Sequence, residues 1–156
     1  MILAGPGDVG KSTAAARLPR PWRALSDDMC LISRSVSGDY WAHPWPTFSL
    51  IRMGRFGGAW VVENAVPLKI VCMLAQHKRD QLQTMSYYQA VSELVDISGQ
   101  TTMFMTGEME QNVARRVNLM RFHNALLLAK EIPVYRLMLS LKGKFWEEIE
   151  KLAEIV

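Results

Sequence analysis

Residues 5–12 read Gly5-Pro6-Gly7-Asp8-Val9-Gly10-Lys11-Ser12 and match the pattern G-x-x-x-x-G-K-[ST] at every fixed position. The apolar stretch before them, residues 1–4, predicts a β-strand. Residues 11–18 after them, which include three consecutive alanines, predict a helix. Strand, glycine-rich loop and helix in this order are the context in which the pattern marks a phosphate-binding loop. The stretch therefore predicts an α/β fold with this loop at the end of its first strand.

Each fixed position of the loop has a physical role. Gly5, Gly7 and Gly10 permit positive φ angles and close backbone approach, so that successive N–H groups can point at phosphate oxygens. The N-terminus of the next helix adds partial positive charge there. Lys11 is a point charge for the β- and γ-phosphates, and the Ser12 hydroxyl can ligate Mg²⁺. We predict a nucleoside triphosphate site formed by Gly5, Pro6, Gly7, Asp8, Val9, Gly10, Lys11, Ser12 and Thr13, the last as a contact to the α-phosphate. A glycine turn with a surface lysine is the alternative.

Two adjacent carboxylates, Asp27 and Asp28, follow the loop and its helix. Residues 24–25 before them predict the end of a strand, and residues 29–32 after them form the next apolar run. Adjacent ionised carboxylates repel each other, and a divalent ion relieves that repulsion. One carboxylate can hold Mg²⁺ while the other accepts a proton from an attacking hydroxyl. We predict a metal site of Ser12, Asp27 and Asp28, with a simple Ser-Asp-Asp turn as the alternative.

The loop, its helix and the hydrophobic-x-Asp-Asp step together resemble the HPr kinase/phosphorylase family, which is related in fold to PEP-carboxykinase. The chain is similar, more closely, to the short HPr-kinase-like proteins of the SynChlorMet cassette ScmC group, which are found beside peptide-modification genes. Residues 43–46, 66–74 and 132–137 resemble segments of that group. The resemblance thus touches most of the chain.

The resemblance implies a P-loop fold of the HPr-kinase/PEP-carboxykinase type, truncated at the N-terminus, with a mixed central sheet and flanking helices. It also implies that the loop binds ATP with Mg²⁺, that Lys11 is the active-site lysine and that Asp28 is the proton acceptor. The family's catalytic histidine lies upstream of the loop. This chain begins four residues before the loop, so that histidine has no counterpart here.

These residues predict a kinase that transfers phosphate from ATP to a hydroxyl on a protein or peptide, with Lys11 and Asp28 as catalytic residues. A non-catalytic nucleotide-binding partner module of a peptide-modification complex is one alternative, and the missing histidine favours it. A small-molecule kinase is another, and it would need the loop at 44–58, with Arg52 or Arg55, as a lid. ATP against GTP and homo-oligomer against monomer stay open.

Composition excludes several other classes of protein. With 156 residues, 49% hydrophobic and 21% charged, the chain is typical of a single globular domain over 1–156. The net charge of +3 is too small for a nucleic-acid-binding stripe and suits a small anionic ligand. Because no long apolar run or signal segment occurs, we expect no membrane span and a cytoplasmic protein. Cys30 and Cys72 are expected to be buried thiols, and the three scattered histidines do not suggest zinc.

The remaining chain predicts alternating strands and helices. Arg17, Arg20 and Arg23, which close the first helix and follow it, would flank phosphates or an acidic partner, or simply be solvated. Leu94-Val95-Asp96 mimics the end of a metal-binding strand, but a helical face explains it better.

Further strands are predicted at 39–42, 59–62, 67–75 and 134–139. The capping box Ser86-x-x-Gln89 predicts a helix through Val95. A longer helix is predicted at 108–130, with an apolar face of Met109, Val113, Val117 and Met120, and a last helix begins at Gly143, with Phe145, Ile149, Leu152 and Val156 on one face. The methionines are expected to fill the core at helical spacing.

Overall fold

The computed structural model describes residues 1–26, 28–45 and 63–153. Over these ranges the chain forms strands and helices in alternation, which makes it an α/β protein. In chain order they are β1 (Ile2–Ala4), α1 (Lys11–Arg17), β2 (Cys30–Arg34), β3 (Tyr40–Pro44), β4 (Val66–Pro67), β5 (Val71–Gln76), β6 (Gln81–Thr84), α2 (Tyr87–Thr106), α3 (Gln111–Glu131), β7 (Val134–Leu139) and α4 (Phe145–Ala153).

The central sheet has the strand order β1-β5-β7-β6. β1 and β7 pair with β5 in parallel, while β6 pairs with β7 antiparallel, so the sheet is mixed. Parallel pairing brings the carboxyl ends of β1, β5 and β7 to one edge of the sheet. The glycine-rich loop leaves β1 at that edge, which is where ligands bind in open α/β sheets.

A second, antiparallel sheet has the order β2-β3-β4. The chain passes from this sheet to the central one over residues 68–70, and the amide of Leu68 donates to the Tyr40 carbonyl on the way (2.8 Å). The predicted strand at 67–75 is therefore two strands, because its first residue pairs with β3 and its last five belong to the central sheet.

Two hydrophobic clusters cover opposite faces of the central sheet, and β5 contributes to both. Cys72 and Leu74 pack with α1 and α4, whereas Val71 and Met73 pack with α2, α3 and the small sheet. This alternation is the side-chain period of a strand that is buried on both faces. It confirms the expectation of a mixed sheet with flanking helices.

Several predicted boundaries are confirmed and others move. The strand at 134–139 is confirmed, and α2 begins with the predicted capping box: the Gln89 amide donates to Ser86 Oγ and the Ser86 amide donates to Gln89 Oε1. α2 runs on to Thr106, so the segment 94–96 is helical as expected. The strand expected to end at 24–25 is wrong, since β2 begins only at Cys30. The short polar strand β6 was not predicted.

The expected apolar face of the long helix is the clearest error. Met109, Val113 and Met120 are exposed, and the residues of α3 that are buried are Ala125 and Leu128. A periodic pattern defines a face of a helix but does not establish that another element covers it. The same reason corrects the expectation for the methionines: Met73 is in the core, but Met103, Met109 and Met120 are exposed and do not fill it.

The last helix and the cysteines give mixed outcomes. Phe145 and Ile149 are buried on one face of α4, as predicted. Cys72 is buried, whereas the prediction of a buried Cys30 is wrong, because that thiol is exposed. Some predictions fall outside the described residues. They concern Val156, the strand expected at 59–62 and most of the loop at 44–58, with Arg52 and Arg55. No helix in the described ranges is both long and apolar enough to cross a membrane.

Candidate functional site

The glycine-rich loop between β1 and α1 has two left-handed residues, Gly10 and Asp8, whereas Gly5 and Gly7 do not have the positive φ that the sequence allowed them. Gly10 has a φ of 105° and precedes α1, whose first turn is closed by a hydrogen bond from the Ala14 amide to the Gly10 carbonyl (2.8 Å). Asp8 has a φ of 59°, a left-handed conformation that aspartate adopts more readily than most residues. Backbone strain of this kind is concentrated at ligand-binding loops.

Gly5 is required by a close contact. A Cβ atom on Gly5 would lie 2.8 Å from Cγ1 of Val9 and 3.5 Å from Cβ of Leu74. The first distance is too short for two carbon atoms, so a larger residue would displace the Val9 side chain within the loop, whereas the second is an ordinary contact with β5. Gly5 therefore lies close against the central sheet.

The Lys11 ammonium lies over the loop and is held by it. Its Nζ donates to the carbonyl oxygens of Gly5 (2.9 Å) and Pro6 (2.8 Å). An ammonium has three donors, so one remains for another acceptor. The two carbonyls fix the position of the positive charge at the loop, where an anion would meet it.

Gln76 is a loop contact that sequence reasoning missed. Its Nε2 donates to the Asp8 carbonyl (3.2 Å), and it is the last residue of β5. β5 is the neighbour of β1 in the sheet, so its carboxyl end lies beside the loop. The sequence gives no signal for this contact, because the order of strands in the sheet is not written in any local pattern.

A cavity of about 710 Å³ lies next to the loop. Lys11 and Asp28 both line it, so the structure brings together the two residues predicted to be catalytic. Ser12 and Thr13 are exposed on the first turn of α1 and do not line it. The full lining comprises Met1, Ile2, Leu3, Lys11, Ala15, Leu18, Trp22, Arg23, Ala24, Leu25, Ser26, Asp28, Met29, Cys30, Ala42, Asn64, Ala65 and Val66.

The segment before β2 places Asp28 at this cavity. Asp28 is exposed, and next to it the Ser26 hydroxyl donates to the Met29 carbonyl. This local hydrogen bond is the turn chemistry that the sequence offered as the alternative, so the turn and the candidate site coexist. Asp27, the other predicted metal ligand, lies outside the described residues.

A magnesium ion here would need oxygen ligands from its substrate. In the part of the chain that the structure describes, no group of three or more His, Cys, Asp or Glu side chains could hold a metal ion. Mg²⁺ in phosphoryl-transfer sites is bound by one or two carboxylates together with substrate phosphates and water. Asp28 would be the carboxylate of that sparse arrangement and Ser12 its hydroxyl, although Asp28 lines the cavity and Ser12 does not.

The arginines near α1 divide into two kinds. Arg17 donates to the carbonyls of Ser140 (2.7 Å) and Gly143, and its Cζ lies 5.6 Å from the centre of the Phe145 ring. It therefore fixes the end of α1 to the connection between β7 and α4, and the expectation of a phosphate ligand or a solvated side chain is wrong for it. Arg20 and Arg23 are exposed, and Arg23 lines the cavity.

Comparison with known proteins places the chain in a family. No curated protein and no solved structure matches it. The family model described as SynChlorMet cassette protein ScmC matches residues 1–154, which is nearly the whole chain and confirms that part of the predicted resemblance. The chain therefore belongs to the family of the SynChlorMet cassette protein ScmC.

Proposed function

We propose that this protein binds ATP and Mg²⁺ at the glycine-rich loop and transfers phosphate to a hydroxyl on a protein or peptide, as a P-loop protein of the HPr-kinase type. The observation that carries the proposal is the cavity shared by Lys11 and Asp28 beside a loop with two left-handed residues. The cavity supplies what the motif alone does not, which is room for an acceptor next to the bound phosphates.

Nucleotide binding follows from the charges and donors at the loop. The backbone N–H groups of residues 5–13, apart from Pro6, which has none, would donate to phosphate oxygens, with those of residues 11–13 at the N-terminus of α1. The Lys11 ammonium is already positioned there by two carbonyls and has one donor left. Phosphoryl transfer asks little more of a protein than positioning and stabilisation of charge, which these groups provide.

Metal binding and proton transfer are assigned to the Ser12 hydroxyl on α1 and to the carboxylates of the segment before β2. The Ser12 hydroxyl and a carboxylate, Asp27 or Asp28, would hold Mg²⁺, which when bound neutralises charge on the β- and γ-phosphates. Asp28 would accept the proton of the attacking hydroxyl, since its side chain lines the cavity that the hydroxyl would enter.

A second candidate is a nucleotide-binding module without turnover that serves a peptide-modification complex. It requires only the loop and the Lys11 ammonium, which the Gly5 and Pro6 carbonyls hold in place, and no catalytic base. A small-molecule kinase remains a weaker candidate: its expected lid residues lie outside the described ranges, and no observation here favours it.

Calorimetry with ATP or GTP, with and without Mg²⁺, tests the binding step. We expect Lys11→Ala to lower affinity about 10- to 100-fold, because it removes a charged hydrogen-bond donor to the phosphates. Lys130→Ala on α3 is the matched control and should leave affinity unchanged. If the wild-type chain takes up neither nucleotide, the proposal is wrong.

Transfer of label from ATP to candidate peptides tests the chemical step. Asp28→Asn should still bind ATP in the absence of Mg²⁺, since the loop and Lys11 are unchanged, and should lose about 100-fold or more in transfer rate, which is the usual contribution of a positioned base. Tight ATP binding by both chains with no transfer to any acceptor would instead support the module without turnover.

A further inference from the structure

The cavity beside Lys11 is larger and more apolar than phosphate binding requires. Its volume of about 710 Å³ is within the range of small-molecule and peptide-side-chain pockets. Most of its lining is aliphatic or aromatic, and the polar exceptions are Lys11, Arg23, Ser26, Asp28 and Asn64. A pocket of this composition selects its occupant by apolar contact and orients it with a few polar groups.

The cavity extends from the phosphate-binding end of α1 along one face of that helix. Lys11, Ala15 and Leu18 line it, and residues at this spacing lie one above another on a helix. Seven residues of helix span about 10 Å. Thr13, the predicted contact to the α-phosphate, does not line the cavity. The cavity therefore adjoins the Lys11 end of a bound triphosphate, where the acceptor reacts, rather than the nucleoside end.

The backbone of β1 adds a reason to expect a peptide. β1 is the last strand of the central sheet in the described ranges, and its residues Ile2 and Leu3 line the cavity. The edge of a strand offers N–H and C=O groups to an extended chain, which is a recurrent mode of peptide recognition. An extended peptide beside β1 would place alternate side chains in the cavity.

We propose that this cavity binds an apolar side chain, aliphatic or aromatic, of an acceptor peptide whose neighbouring residue carries the reacting hydroxyl. The proposal rests on the function proposed above and names its substrate class. In the reaction, the hydroxyl oxygen forms a bond to the γ-phosphorus, the bond from that phosphorus to the β,γ-bridging oxygen breaks, and ADP leaves. The hydroxyl proton passes to Asp28.

Cys30 provides a direct probe of the cavity. Its thiol is exposed and lines the cavity, whereas Cys72 is buried and should not react. The rate of alkylation by N-ethylmaleimide therefore reports whether the cavity is open. We expect alkylation in the free protein and with Mg²⁺–ATP, and at least a fivefold slower rate in the presence of a bound peptide.

The closing experiment uses a set of peptides with one serine and a variable neighbour, either Ala, Leu, Phe, Asp or Lys, and labelled ATP. We expect Leu or Phe at one neighbouring position to raise labelling about tenfold over Ala. The Leu peptide should also protect Cys30. Ala65→Trp, which fills part of the cavity, should abolish the preference while ATP affinity stays the same, and Ala114→Trp on α3 should preserve it.

Each outcome separates this proposal from the broader one. Equal labelling of all five peptides, or a preference that survives both Ala65→Trp and alkylation of Cys30, overturns the apolar subsite and leaves the kinase standing. ATP binding without labelling of any peptide overturns both. Because burial raises the pKa of the Cys30 thiol, alkylation is also measured at about pH 9. A Cys30 thiol that stays unreactive in the free, folded protein at that pH would show that the cavity is closed, and this also overturns the subsite. If Ala65→Trp fails to fold by its thermal melt, alkylation of Cys30 gives the same test.

Discussion

The glycine-rich loop and the α2–α3 helical hairpin differ in how far their sequences determine them. In the loop, the positive φ of Gly10 and the contact between Gly5 and Val9 involve residues a few positions apart. In α3 of the hairpin, the spacing of apolar residues predicts a helix correctly but assigns the wrong face to the core. Conformation is thus a local property, whereas burial depends on elements that are distant in sequence.

Gly99 and Arg121 form a close contact between α2 and α3. A Cβ atom on Gly99 of α2 would lie 3.3 Å from Cζ of Arg121 on α3, and Arg121 Nη1 donates to Thr102 Oγ1 (3.1 Å). Glycine on one helix thus makes room for a long side chain from the other. Leu119 and Met120, next to this contact, remain 60% and 63% exposed.

The largest loss of stability is expected from a substitution at a buried residue of α3. Leu128 is 6% exposed and packs in the cluster that includes Val71 and Met73. We expect Leu128→Ala to lower the free energy of unfolding by about 2–5 kcal/mol, because it removes buried methyl groups and leaves a cavity. Urea unfolding followed by circular dichroism measures this.

Met120→Ala is the matched control on the same helix. Because Met120 is largely exposed, we expect the loss in unfolding free energy to stay within about 0.5 kcal/mol. If the two variants lose equal stability, the hairpin face assigned to solvent is in fact covered, and the difference between the two regions disappears.

The second largest effect on stability is expected from Cys72, which lies in β5 of the central sheet. Burial raises the pKa of the Cys72 thiol from its ordinary 9.0 to about 12. The native state therefore resists ionisation of this thiol while the unfolded state does not. Its contribution to stability is complete below about pH 9 and is lost as the pH rises towards 12, at about 1.4 kcal/mol per pH unit.

Urea unfolding at about pH 8 and about pH 10.5 checks this sign. Other groups also titrate in this window, so the relevant quantity is the difference between the wild-type chain and Cys72→Ala. We expect the wild-type chain to lose about 2 kcal/mol more than the variant does over this interval. Equal losses in the two chains would mean that Cys72 is accessible to solvent.

The difference between the loop and the hairpin indicates which parts of the fold can be predicted from the sequence. The strand–loop–helix order around the glycine-rich loop, the capping box of α2, the strand at 134–139 and the buried face of α4 follow from local patterns, and the structure has them all. The strand order, the division of 67–75 between two sheets and the edge strand β6 depend on pairing between distant segments, which no local pattern encodes.

The residues of the candidate site also fall into two groups, those that a local sequence pattern identifies and those that only the tertiary structure brings to the site. Lys11 and Asp28 were identified from the motif and from a pair of carboxylates, and the cavity brings both together. Gln76 and Cys30 could not be assigned to the site, because one reaches it through the pairing of β5 with β1 and the other through the position of the small sheet. Residues near one another in the chain were found, and residues brought in by tertiary structure were missed.

The smallest effect tests the local origin of the loop's conformation. A Cβ atom on Gly10 or on Gly7 would meet nothing within 4 Å, so neither substitution to alanine creates a steric clash with the rest of the protein. The two glycines differ in backbone conformation, since Gly10 has a φ of 105° and Gly7 does not have a positive φ. We therefore expect Gly10→Ala to cost about 1–2 kcal/mol of unfolding free energy through left-handed strain alone. Gly7→Ala should be neutral or slightly stabilising, because alanine restricts the unfolded chain. Equal unfolding midpoints in urea would show that the loop tolerates either glycine's replacement and that its conformation is not fixed by Gly10.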